Sequence, residues 1–158
     1  MESMTAYSLA ALVVAFVVVR QLRARPVRPV GSLIAPALFA VLGAAGIAFG
    51  VASVVKFHPL TATPIVLLGV SLAAVAVLGA ARARTVSVWR APEGGVLRQG
   101  TVITSGLWFF SFAVHLGFGL WIDQADGVGI LGAASLYAYV AIGLTTQNLL
   151  LRRRAYAL

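Results

Sequence analysis

Apolar positions along this chain fall into five runs separated by short polar segments, at about 4–19, 32–55, 63–81, 101–122 and 128–151. A bilayer core about 30 Å thick takes roughly 20 apolar residues of helix at 1.5 Å rise each. The pattern therefore predicts an all-α membrane protein: a five-span transmembrane helix bundle forming a single transmembrane domain over 1–158. The first run is slightly short and is expected to borrow Leu22 or terminal residues. A four-span alternative would lay it on the membrane surface, but an interfacial helix needs a polar face and residues 9–19 have none.

Between the third and fourth runs, residues 82–100 have a different period. Thr85-Val86-Ser87-Val88 alternates with period two, Ala91-Pro92-Glu93-Gly94-Gly95 has turn composition, and Val96-Leu97-Arg98 resumes. This predicts a short hairpin with a five-residue loop. An isolated hairpin is marginal in water, so it is expected to lean on the membrane surface or the helix ends, with Trp89 at headgroup depth.

Charge orients the spans. The chain carries 12 Lys and Arg against 4 Asp and Glu. With the N-terminus outside, the cytoplasmic segments hold Arg20, Arg23, Arg25, Arg28, Arg82, Arg84, Arg90, Arg98 and Arg152, Arg153 and Arg154. The outer segments hold Lys56 with Glu2, Asp123 and Asp126, so the positive-inside rule places the C-terminus in the cytoplasm. Glu2 and the absence of Lys or Arg in 1–5 do not match the basic start of a cleavable signal, so the first run is expected to be retained.

Composition agrees. The chain is 61% hydrophobic and 10% charged, against roughly 25% charged in soluble domains, and its mean hydropathy is +0.99. A net charge of +8 suits nucleic acid only if the cations share a solvated face. Here they abut apolar runs, so the expected partner is a bilayer with anionic headgroups at the cytoplasmic face, and no nucleic acid. The absence of cysteine excludes disulfides, thiolate metal sites and dithiol redox chemistry.

Chemistry-bearing residues are few. His115 lies inside the fourth run, and Thr104, Trp108, Ser111 and His115 share one helical face. The fifth run passes the same depth near Ser135, Tyr137 and Tyr139. Two readings stand for this intramembrane polar site. One is a structural hydrogen bond from His115 to a hydroxyl on the neighbouring helix. The other is a proton relay or haem ligand, against which no second titratable group stands within the spans. A haem shared with His58 is awkward because the two differ in depth, and no carboxylate completes a zinc site, so neither metal nor cofactor is expected.

A second polar set gathers Thr145, Thr146, Gln147 and Asn148 with Thr101, Thr104 and Ser105 near the hairpin arginines. Those arginines either hold a phosphate or carboxylate or simply anchor to lipid, and Arg82, Arg84, Arg90, Arg98 and Arg152 to Arg154 are the expected contacts with anionic lipid or a partner. Gly43, Gly46 and Gly50 in the second run, and Gly69, Ala73, Ala76 and Ala80 in the third, form small-residue faces that pack the bundle or a dimer. Nothing marks a nucleophile, a phosphate loop or paired carboxylates, so no catalytic residues are expected.

The Arg23-Ala24-Arg25-Pro26 run after the first span, the 82–100 hairpin, its Gly94-Gly95-Val96 turn and the following Arg98 resemble the CcdC-like bacterial integral membrane proteins. The resemblance covers most of the chain by topology. It implies an accessory link to cytochrome c biogenesis, since a chain without cysteine carries no thiol electrons itself. The resemblance implies a multi-pass protein of the bacterial cytoplasmic (inner) membrane, and the preference for Arg over Lys fits a GC-rich bacterial genome. Two functions follow as expectations. One is a non-enzymatic accessory membrane protein associating with a membrane-protein partner or with itself. The other is a small-molecule or proton-coupled carrier built around His115.

Overall fold

The structure, a computed structural model, describes residues 15–16, 18–28, 31–127 and 129–158, with only the backbone at 126. All but a few residues of the first expected run (4–19) lie outside the described residues; 18–22 are helical. Strand β1 (Arg25–Pro26) leads to helix α1 (Gly31–Phe57), and α2 (Ala62–Thr85) returns. The hairpin β2 (Ser87–Arg90) and β3 (Val96–Gln99) follows, then α3 (Val102–Asp126), a single turn α4 (Leu131–Ala134) and α5 (Leu136–Tyr156). Three helices, Gly31–Phe57, Ala62–Thr85 and Val102–Ala125, are long and apolar enough to cross a membrane.

Burial is inverted relative to a soluble domain, as membrane packing requires. Large apolar side chains point outward: Leu38, Val41 and Phe49 from α1, Val66 and Val77 from α2, and Phe109, Leu116 and Leu120 from α3. Ser71, Thr104, Ser105, Ser111, His115 and Ser135 are buried instead. Lipid solvates the first set, and the second would be costly to expose to it.

Small residues set how closely the helices approach. A Cβ at Gly43 would lie 2.4 Å from the Ala138 nitrogen, one at Gly46 2.5 Å from the Ala134 carbonyl, and one at Gly50 3.0 Å from Leu131. The glycine face of α1 is therefore taken up within the bundle, against α4 and α5. Gly69 on α2 meets nothing within 4 Å.

The fifth expected run differs from a single helix over 128–151. It breaks at Ser135, whose hydroxyl donates to the Gly132 carbonyl at 2.7 Å, and resumes as α5 to Tyr156. Asp123 of α3 accepts from the Gly132 nitrogen at 2.7 Å and fixes the turn before the break. At the other end α5 runs on through Arg152–Arg154, since cations suit a helix C-terminus.

The hairpin forms with the expected five-residue loop, 91–95, and with Gly94 and Gly95 at φ +89° and +86°, a backbone region in which a side chain is strained. It gains a third strand. β1 pairs antiparallel with β3, giving the order β1-β3-β2 and placing Arg25 opposite Arg98. This ties the segment after the first run to the loop between α2 and α3.

Candidate functional site

Four arginine-bearing segments converge at one end of the bundle. α3 starts there with a reciprocal cap: Thr101 Oγ1 accepts from the Thr104 nitrogen at 3.2 Å, and Thr104 Oγ1 accepts from the Thr101 nitrogen at 3.1 Å. Thr104 also bonds Thr85 Oγ1 at 2.8 Å, locking α2 to α3. Arg154 donates to the carbonyls of Ala83 and Val86, the latter at 2.9 Å, and so holds the end of α5 against the end of α2.

The hairpin is fixed by a relay that starts at a proline. Pro36 inside α1 has no N–H to donate to the Ser32 carbonyl, and that carbonyl accepts Asn148 Nδ2 at 2.7 Å instead. Asn148 Oδ1 in turn accepts Arg98 Nη1 at 3.2 Å. One side-chain amide thus joins α1, α5 and β3, and sets Arg98 in the wall of two adjoining cavities.

The first cavity, about 630 Å³, is lined by Arg20, Arg23, Arg25, Arg28 and Arg98 together with the Gly31–Ser32 start of α1. The second, about 400 Å³, shares Arg20, Arg23, Arg25 and Arg98 and reaches inward to Trp108, Gln147 and Asn148. No carboxylate lines either one among the described residues. Burial, and then Arg25, lower the Arg98 pKa below its ordinary value. Desolvation lowers that of Arg25, followed by repulsion from Arg20 and Arg23.

Deeper in the bundle, Tyr139 donates its hydroxyl proton to the Ser111 carbonyl at 2.8 Å. With that proton used, the 3.1 Å contact to Ser111 Oγ has the serine as donor. His115 packs its ring 4.5 Å from the Tyr139 ring, and its buried Nδ1 has no hydrogen-bond partner among the described residues. The structure thus brings His115, Ser111 and Tyr139 together. Thr104 is spent on the α3 cap and Ser135 on the α4–α5 break. Tyr137 points outward, 46% exposed, and stacks on Phe39 of α1 with ring centroids 6.0 Å apart.

Comparison with protein-family models, curated proteins and solved structures gives no match.

The arginines divide on exposure. Arg84, Arg90 and Arg153 are exposed, while Arg98 is half-buried and bonded to Asn148. Arg154 is exposed overall but donates to the Ala83 and Val86 carbonyls, and Arg152 is half-buried with its Nε lacking an acceptor among the described residues. Arg82 corrects the sequence expectation. Instead of facing lipid or a partner it is 0% exposed, with its guanidinium 3.9 Å from the centre of the Trp108 ring. Helical residues two apart face different sides, so Arg84 takes the outside and Arg82 turns inward. Gly143 makes room, since a Cβ there would lie 2.6 Å from Arg82 Nη2.

Sequence reasoning did not single out Arg20, Arg23, Arg25 and Arg28 as site residues, because the two-residue strand that carries Arg25 to Arg98 has no periodicity to read. A signal for Arg82 did exist: two arginines at i and i+2 in one helix cannot both face lipid.

Proposed function

We propose that this chain is a non-enzymatic membrane protein that binds a phosphate-bearing anionic ligand in the arginine-lined cavity at the end of its helices. The register of Arg25 opposite Arg98 carries the reading. Like charges directly opposite on adjacent strands oppose folding, and Arg20, Arg23 and Arg28 add to the same field with no lining carboxylate among the described residues. Such a cluster is stable when an anion completes it. Guanidinium groups suit phosphate in particular, because their planar fork donates two parallel hydrogen bonds. The Gly31–Ser32 start of α1 lines the same cavity, with no acidic residue in the helix's first turn to oppose an anion.

In this reading the bundle has five spans, with the N-terminus outside and the arginine-rich end at the cytoplasmic face of a bacterial inner membrane. The grouping of arginines at one end, with Lys56, His58 and Asp123 toward the other, supports that orientation. The phosphate then comes either from an anionic lipid headgroup or from a soluble ligand. Native mass spectrometry of protein released from phosphatidylglycerol-containing nanodiscs, and of protein mixed with inorganic phosphate, separates these sources. A retained adduct in wild type that is lost in R25Q/R98Q supports the proposal, and equal adducts in both proteins contradict it.

A second reading is association with another membrane protein, the accessory role implied by the CcdC-like resemblance. The observation favouring it is an exposed hairpin tip at Pro92–Gly95 next to exposed Arg90, with no role in the fold beyond the turn. Substituting Arg90 and Glu93 together and repeating affinity capture from native membranes tests it; unchanged co-purification of any partner rules the tip out as the docking point.

A further inference from the structure

We propose that Arg82 forms a second anion site, inside the bundle between α2, α3 and α5, taking a small monovalent anion of halide or carboxylate size. It is distinct from the cavity at the helix ends and does not depend on that cavity's ligand.

The guanidinium is fully buried, and its Nε, Nη1 and Nη2 have no hydrogen-bond acceptor among the described residues. An arginine does not shed its proton to escape burial. The side chain therefore carries a full charge in the bundle, and an uncompensated buried charge is among the costliest features a fold can hold. Trp108 at 3.9 Å supplies a cation–π contact that covers one face of the group. Gly143 of α5 closes another side, since a Cβ there would lie 2.6 Å from Nη2.

The N–H groups of a guanidinium lie in its plane, so a ring stacked on its face leaves them free to donate. Water accepts such bonds but carries no countercharge. Among the described carboxylates, Glu93 is exposed at the hairpin turn and Asp123 is bonded to Gly132, so neither serves Arg82. A bound anion supplies both the acceptors and the charge. The complete burial of Arg82 limits its size to a few atoms. Trp108, which stacks on Arg82, also stands in the inner wall of the 400 Å³ cavity and is itself half-buried.

Trp108 is also the natural reporter. In a W89F/W121F background it is the remaining tryptophan, and bromide replaces gluconate at constant ionic strength. The expected result is a saturable quenching component that R82Q abolishes and R82K retains with a shifted midpoint. R25Q/R98Q should leave it in place, which separates this site from the outer cavity. Linear quenching that is the same in wild type and R82Q overturns the proposal, as does saturable quenching that persists in R82Q. If R82Q does not fold, the thermal midpoint of the protein with Arg82 intact decides. A higher midpoint in bromide than in gluconate supports the site, and identical midpoints overturn it.

Discussion

Arg25 and Arg98 stand directly opposite each other across the β1–β3 ladder, at the shared wall of two cavities that no described carboxylate lines. Such a pair weakens the sheet that holds it, by about 0.2–1 kcal/mol for like charges in register. Arg25→Gln should therefore leave the ligand-free protein as stable as wild type or slightly more so, and remove its stabilisation by phosphate. Thermal unfolding in detergent with and without phosphate measures both. A role for Arg25 confined to the fold predicts a loss of stability in both conditions.

Arg98 is held where it is by Asn148. Arg98→Gln should weaken phosphate binding roughly tenfold to a hundredfold, the worth of one charge-assisted hydrogen bond. Asn148→Ala leaves the charge in place but removes the tether and the bond to the Ser32 carbonyl. It should cost about 1–3 kcal/mol of stability and a smaller part of the affinity. Titration of both variants with phosphate, set beside their unfolding midpoints, distinguishes charge from position.

The pH dependence should come from the ligand. Burial and neighbouring arginines lower the Arg25 and Arg98 pKa values, but a guanidinium starts so far above neutrality that both groups keep their charge there. A phosphate monoester gains its second charge near pH 6. Its affinity should rise as pH increases from about 5 to 7, whereas a phosphodiester headgroup, singly charged throughout, should bind equally well over that range. Binding measured across this window with each ligand checks the sign.

Glycines on α1 should be intolerant of substitution. Gly43→Leu places a side chain where even a Cβ would lie 2.4 Å from the Ala138 backbone, and should destabilise the bundle by about 3 kcal/mol or more. Gly69→Leu enters open space and should change stability little. Unfolding midpoints of the two variants test whether the α1 face is an internal seam. A destabilised Gly69→Leu would instead point to an interface on α2.

Much of this fold is legible in the sequence because length and apolarity govern helices in lipid directly. The runs at 32–55, 63–81 and 101–122 each coincide with a helix long and apolar enough to cross a membrane. The hairpin was legible too, since the Gly94-Gly95 pair marks a turn that needs positive φ. The site was less so. Arg25 meets Arg98 through a strand of two residues, and pairing across 73 positions leaves no local trace. The inward turn of Arg82 depends on space left by Gly143, 61 residues away on another helix. In the fifth run, the apolar pattern continues through Ser135, where a side-chain bond to the backbone breaks the helix.

Calorimetric titration in phosphatidylcholine nanodiscs tests the central claim most directly, comparing wild type with R25Q/R98Q. Inorganic phosphate is the titrant, and the titration is repeated in discs that contain phosphatidylglycerol. The account predicts saturable heat in wild type that the double variant lacks, with phosphatidylglycerol competing if the headgroup is the ligand. If the wild type gives no more heat with phosphate than R25Q/R98Q, and phosphatidylglycerol stabilises the two proteins equally, the arginine-lined cavity is not a phosphate site.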